Sequence, residues 1–181
     1  MNVFDHSHPL ASFHYCPKCG GRFLIYNEKA CRCSACGFVY YFNPSAATVA
    51  VVVNDRGELL TCRRAKEPAK GTLDLPGGFC DMYETAEEGV AREVYEETGL
   101  KVTATRYLFS LPNTYLYSGF LVHTVDNFFH CVVDECSTVT AADDVEECFW
   151  VPLHEVRSED FGLQSVREGV ARVLELYIPS R

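Results

Sequence analysis

The chain has 181 residues, 48% of them hydrophobic and 23% charged, a balance that supports a packed core and excludes wholesale disorder. Its 16 Lys and Arg stand against 25 Asp and Glu, and the resulting net charge of -9 argues against general affinity for long nucleic acid. The longest apolar stretch, Ala46 to Val53, is too short to cross a bilayer, and the amino terminus lacks a basic segment followed by an apolar core. A cytoplasmic protein with no membrane partner is therefore expected.

Residues 1–14 read as a loosely held arm, because the spacing of His6, His8 and His14 is too irregular for a metal site. A cysteine module follows over residues 15–40. Cys16-Pro-Lys-Cys19-Gly20 and Cys33-Ser-Ala-Cys36-Gly37 are two copies of one device, separated by thirteen residues, the length of a short hairpin. Each pair can aim two thiolates at one ion, and the glycine after it lets the backbone turn sharply. Cys16, Cys19, Cys33 and Cys36 are thus expected to hold a structural Zn²⁺ with no open coordination position. Cys31 could stand in for Cys33, but only Cys33 and Cys36 reproduce the spacing of the first pair. A module this small buries little core, so the metal would supply the missing folding energy. The remaining cysteines, at 62, 80, 131, 136 and 148, read as small hydrophobes.

Asn43-Pro44-Ser45 punctuates the chain, and a larger unit is expected over residues 45–181. It opens with Thr48-Val-Ala-Val-Val-Val53, a β-branched run suited to a buried strand. Asn54 to Gly57 supplies a turn, and Glu58 to Arg64 reads as the returning strand. Residues 71–78 form loop and short extended chain. A helix is predicted over Thr85 to Thr98, with Thr85 and Glu88 as a capping box and Gly99 as the stop. Further strands are predicted at 101–110, 119–125, 127–133 and 148–151, with Asp126-Asn127 as a tight turn. A closing helix over 163–177 places Leu163, Val166, Val170, Val173 and Tyr177 on one stripe.

Within the first of these helices, Glu93, Glu96 and Glu97 sit at i, i+3 and i+4 and share one side. Like charges at that spacing repel, and a hard divalent ion such as Mg²⁺, which prefers carboxylate oxygens and accepts phosphate on its open side, resolves the conflict. The segment from Gly78 to Leu100 resembles the Nudix box, G-x5-E-x7-R-E-U-x-E-E-x-G-U with U aliphatic, at every specified position: Gly78, Glu84, Arg92, Glu93, Val94, Glu96, Glu97, Gly99 and Leu100.

The resemblance to the Nudix hydrolase superfamily implies an α/β (α+β) fold, a Nudix-type α/β/α sandwich with a mixed sheet, preceded here by a small zinc ribbon. It implies hydrolysis of a nucleoside diphosphate linked to another moiety. Glu96 and Glu97 would ligate Mg²⁺ or Mn²⁺ with the Gly77 carbonyl, and Glu93 would be a further ligand or the base. Arg92 would hold the glutamates, and Glu84 would support the start of the helix. An additional carboxylate would come from Asp143-Asp-Val-Glu-Glu-Cys-Phe-Trp150, with Glu147 preferred and Glu146 next.

A zinc ribbon directly before such a domain resembles the NADH pyrophosphatase group, whose S-Q-P-W-P-F-P-x-S array aligns with Ser110-Leu-Pro-Asn-Thr-Tyr-Leu-Tyr-Ser118. Ser110, Pro112 and Ser118 match and Tyr115 replaces the phenylalanine, while the glutamine, the tryptophan and two prolines are missing. Tyr115 and Tyr117 are candidates for stacking on a nucleobase. ADP-ribose or NADH is the expected nucleotide-derived substrate, with a nucleoside triphosphate as the enzymatic alternative. A nucleotide sensor whose ribbon docks a protein or nucleic acid is the reading from another class. The resemblance also implies a homodimer.

Overall fold

The computed structural model describes residues 9–134, 139 and 145–177, with the side chain of Tyr115 excepted. His6, His8, Cys136, the Asp143-Asp144 start of the acidic stretch and the last four residues lie outside the described residues, as does any side-chain role for Tyr115. No described helix is long and apolar enough to cross a membrane.

The described chain divides into two compact units, one made of residues 9–44 with Thr114–His123 and the other of Ser45–Asn113 with 124–177. In the first, β1 (Phe23–Asn27), β2 (Ala30–Cys33) and β3 (Val39–Tyr41) form an antiparallel sheet in the order β1-β2-β3. Its core is small: Leu10, Cys16, Phe23, Cys31 and Cys33 are buried, with Phe13, Phe38 and Phe42 packed against them. Residues 9–14 are accordingly not a loose arm. A 3-10 turn over Pro9–Ser12 delivers Leu10 to that core with 1% of its surface exposed.

The second unit is built around β4 (Ser45–Val51), β5 (Glu58–Arg64), β6 (Leu73–Asp74), α1 (Ala86–Thr98), β7 (Val102–Tyr117), β8 (Phe120–Val133), β9 (Val145–Pro152) and α2 (Gln164–Tyr177). The tip of the β7–β8 hairpin groups with the first unit. Strand orders are β4-β8-β7 and β6-β5-β9, and β4 runs parallel to β8 while β5 is antiparallel to both neighbours. Alternation along the strands explains the layering. Val49 and Val51 enter one cluster with Leu59, Phe128 and the α2 residues Val166, Val170 and Val173. Ala50 and Val52 enter another with Leu60, Phe129 and the α1 residues Val90 and Val94. A strand covered by a helix on each face must be apolar at consecutive positions, which is what the Thr48–Val53 run encodes. The result is the mixed-sheet α/β/α arrangement. Gly169 leaves room for the Phe128 ring, which a β-carbon there would strike.

The turn at Asn54–Gly57 forms as expected, with Gly57 donating to the Asn54 carbonyl, and the chain returns as β5 over Glu58–Arg64. Across it the two strands meet at the antiparallel bridge Val53↔Leu59, while β4 and β5 find their other partners in different sheets. One expectation about strand connections fails: Asp126-Asn127 is no turn. It lies inside β8, where buried Asp126 accepts from the hydroxyls of Thr124 and Ser165, and Asn127 donates to the carbonyls of Ala47 and Val125. Side chains common in turns are tolerated mid-strand when tertiary partners satisfy them. The actual turn is Ser118-Gly119, at φ of 49° and 77°, the left-handed pair that a two-residue hairpin demands.

Candidate functional site

In the first unit the two Cys-x-x-Cys-Gly segments close in the same way. Gly20 donates to the Cys16 carbonyl and Gly37 to the Cys33 carbonyl, with φ of 72° and 73°, a left-handed turn that glycine makes without steric cost. These turns bring the sulfurs of Cys16, Cys19, Cys33 and Cys36 within 4.8 Å of one another, with Cys16 to Cys36 at 3.9 Å and Cys19 to Cys33 at 3.5 Å. A tetrahedron with Zn–S bonds of ~2.3 Å has edges of about 3.8 Å, so the four thiols fit a zinc ion. The backbone N–H groups of Cys36 and Ala35 both point at Cys33 Sγ and lower its pKa, favouring the thiolate that a metal requires. Cys31 lies apart from this group, buried, with its thiol directed at the Leu10 carbonyl.

In the second unit the acidic helix is organised locally. Thr85 accepts from the Glu88 N–H while the Glu88 carboxylate accepts from the Thr85 N–H, and Gly99 caps the other end. Val90 and Val94 are fully buried. Burying each valine contributes about 1.5–3 kcal/mol. Each like-charged pair at helical spacing costs only about 0.2–0.5 kcal/mol. Packing wins, and the helix does not depend on a cation to form.

Arg92 further offsets the repulsion. Its guanidinium donates to Glu84 at 2.8 Å, to Glu93 at 2.9 Å, to Glu96 at 2.9 Å and to the Phe79 carbonyl at 3.0 Å. With a further bond from Nε to Glu84 at 3.2 Å, five charge-assisted bonds from one planar fork orient three carboxylates at once. Glu84 also accepts from the Asp81 N–H, and with Arg92 this holds its carboxyl below the usual range. It lies against Gly89, where a β-carbon would come within 2.9 Å of its Oε1.

Glu97 is in a different situation. It is 8% exposed, and burial pushes its pKa up to about 9 although the Gly77 N–H donates to it at 3.1 Å. The charges of Asp74, Glu93 and Cys148 push in the same direction. A buried carboxylate among other acids is a group whose ionised form needs a cation. The donor set is all oxygen: Glu93, Glu96 and Glu97 share one helix, with Glu93 lying against Gly78 and Glu97 accepting from the Gly77 N–H. That suits a hard divalent ion such as Mg²⁺ or Mn²⁺. Gly77 is wedged against the Thr48 carbonyl and needs the bare backbone, while a β-carbon on Gly78 would meet the carboxylate end of Glu93, with Oε1 at 2.6 Å.

The structure does not bring Glu147 to this group. Its carboxylate pairs with Arg63 at 2.6 Å, and Glu147 and Arg63 are register partners across β9 and β5. The neighbouring pair Cys62↔Cys148 occupies the opposite face, where the Cys148 thiol reaches the Glu97 carbonyl. Glu146 sits at the register shift between these strands and is exposed. Tyr117 is 60% exposed and belongs to the first unit, whereas the glutamates belong to the second. Sequence reasoning missed Asp74, which Arg64 engages and whose charge bears on Glu97. The run Leu73-Asp-Leu-Pro-Gly-Gly78 held the signal, an acid just before the glycines that approach the helix.

The family model of the NUDIX domain matches residues 43–173. Among curated proteins, the chain is 36% identical over 113 residues to the NAD-capped RNA hydrolase NudC of Vibrio atlanticus (strain LGP32), covering 61% of this chain and 40% of that protein. It is 40% identical over 75 residues to the ADP-ribose pyrophosphatase of Methanocaldococcus jannaschii, covering 40% of this chain and 44% of the relative. The chain thus spans less than half the length of these relatives. Among solved structures, a NUDIX hydrolase from Nitrosomonas europaea superposes with a TM-score of 0.68 over 90% of this chain and 91% of its own, at 20% identity.

Proposed function

The chain belongs to the NUDIX domain family, and on that premise we propose that it hydrolyses the pyrophosphate bond of a nucleoside diphosphate linked to another moiety. ADP-ribose or NADH is the preferred substrate, and residues 45–181 carry the reaction behind a structural zinc ribbon at 15–40. The observation that supports this reading is the placement of Glu93 against Gly78 and of buried Glu97 on the Gly77 N–H, with Glu96 held on the same helix by Arg92.

Glu96, Glu97 and the Gly77 carbonyl would hold Mg²⁺ or Mn²⁺, with Glu93 as a further ligand or as base. When bound, the ion neutralises the diphosphate and makes a coordinated water more acidic. The chain's own residues do the rest. Arg92 fixes the rotamers of Glu93 and Glu96, so that Glu93 can accept a proton from the attacking water without reorganising. Water adds to one phosphorus, the bridging P–O bond breaks, and two phosphomonoesters leave, AMP being one of them for an ADP-containing substrate.

A panel of ADP-ribose, NADH and nucleoside triphosphates assayed with Mg²⁺ or Mn²⁺, with products identified by mass, tests the reading. AMP plus a second phosphate ester is expected. If no member of the panel is consumed, the proposal falls.

A second prediction concerns Gly78. In Gly78→Ala the new methyl group displaces the far end of the Glu93 side chain, which costs the fold little but moves a functional carboxylate. Turnover should fall roughly 100-fold, as for other misplacements near 1 Å. Folding stability should change by less than about 1 kcal/mol. Steady-state kinetics and thermal denaturation on one preparation read both quantities, and unchanged turnover would remove Glu93 from the site.

One observation favours a related reading, in which the dinucleotide is the 5′ end of an RNA, the substrate named for the NudC relative. The register of β1, β2 and β3 sets Leu24, Arg32 and Val39 on one sheet face, and the Arg32 guanidinium lies over the Tyr26 ring at 5.7 Å. Tyr26 is 53% exposed and offers a stacking surface of the kind that unpaired bases use. Including an NAD-capped oligonucleotide in the same panel separates this reading from free dinucleotide hydrolysis.

A further inference from the structure

Cys62 and Cys148 are 86 residues apart in sequence yet are direct register partners across the antiparallel strands β5 and β9. Their sulfurs lie 3.1 Å apart, in contact. Directly opposed residues in such a ladder have Cα separations of about 4.5–5.5 Å, inside the range of about 4.4–6.8 Å that a disulfide spans. Cys62 is 1% exposed, while Cys148 is only half-buried. Cys148 Sγ also touches the Glu97 carbonyl oxygen, at 3.7 Å. That carbonyl is in the last turn of α1, where carbonyls have no partner within the helix.

The geometry points to a redox modification site: Cys62 and Cys148 form a vicinal dithiol that a peroxide oxidises to a disulfide. Cys148, the more accessible sulfur, attacks one peroxide oxygen and the O–O bond breaks. The sulfur is oxidised to a sulfenic acid, and its proton leaves on the departing oxygen as water or an alcohol. The Cys62 sulfur then attacks the Cys148 sulfur, the S–O bond breaks, and the hydroxyl leaves with the Cys62 proton as water. The balance is two thiols and one peroxide going to one disulfide, one water and one further water or alcohol.

The step needs little backbone movement, since the sulfurs must close from 3.1 Å to a bond of about 2.05 Å between residues already opposed. It also removes both S–H groups. The Glu97 carbonyl loses its thiol contact at the end of the helix whose side chains form the acidic cluster. Oxidation is therefore linked to the geometry at Glu97, and a thiol reductant reverses it.

The test uses the full, zinc-loaded protein treated with hydrogen peroxide, followed by alkylation of remaining thiols and peptide mapping by mass. Wild type is expected to yield a peptide pair linked through Cys62 and Cys148, lighter by two hydrogens, which dithiothreitol abolishes and Cys148→Ser never forms. Full alkylation of both cysteines after peroxide, or sulfinic acid at Cys148 without the link, would overturn the proposal. Because this map is read on the protein itself, it stands or falls separately from hydrolysis. Mn²⁺ titration of the oxidised and reduced forms reads the link to Glu97. A several-fold weaker affinity in the disulfide form is expected, and equal affinities would refute that coupling.

Discussion

Glu97→Gln should lower turnover about a thousandfold or more, and at alkaline pH it should make the metal-free protein more stable than the parent. The first effect follows from deleting a ligand charge in a site whose chemistry is electrostatic. The second follows from burial. In the folded chain Glu97 keeps its proton up to a pKa of about 9, against 4.5 for the ordinary group. Between those values the folded state holds one more proton than the unfolded state, so stability falls as pH rises across that window and is lowest above pH 9. Glutamine has the same shape and no charge to desolvate. The two proteins should therefore unfold at similar temperatures near pH 4 and diverge by a few degrees by pH 9. Thermal midpoints measured after dialysis against magnesium-free buffer, which leaves tightly bound zinc in place, provide the comparison. Added Mg²⁺ should close the gap from the parent's side only, since it engages the ionised carboxylate. Equal turnover in the variant would exclude Glu97 from the site.

The second large effect belongs to the ribbon. Replacing Cys16 and Cys19 with serine should release zinc, about one ion per chain, and abolish hydrogen-exchange protection in β1, β2 and β3. Among the described residues, the hydrophobic cluster of this unit has five buried members, three of them cysteines, two of which sit in the four-sulfur cluster. So small a core does not offset the conformational entropy of ordering the hairpins. Zinc binding to such a cluster is worth about 10–16 kcal/mol near neutral pH, and most of that is folding free energy. Elemental analysis together with exchange mass spectrometry reads both consequences. A purified parent protein without zinc would refute the assignment.

The features legible in the sequence were those carried by short-range spacing. The Cys-x-x-Cys-Gly repeat encodes its own turn, because the glycine follows each pair at the position where the left-handed conformation is required. Thr85, Glu88 and Gly99 bound a helix whose capping bonds are all local, and the i, i+3, i+4 spacing of the glutamates places them on one face. Local spacing misled where tertiary partners override propensity. Asp126-Asn127 has the composition of a turn, but Thr124 and Ser165 satisfy the Asp126 carboxylate inside a continuous strand. The repulsion among Glu93, Glu96 and Glu97 is offset in part for the same reason, since Arg92 hydrogen-bonds Glu93 and Glu96 while buried Glu97 accepts from the Gly77 N–H.

By itself, the sequence determined the chain's two sulfur pairs, its acidic helix and the two-sided apolar strand, all of which depend on residues within a few positions of one another. Tertiary structure alone decided which strands became partners, and with them the contact between Cys62 and Cys148 and the pairing of Glu147 with Arg63. It also decided that Glu97 would be the buried member of the trio. The physical reason is that register and burial depend on which distant segments meet. That is settled by the cooperative packing of both helices against the sheets, and no local window contains it.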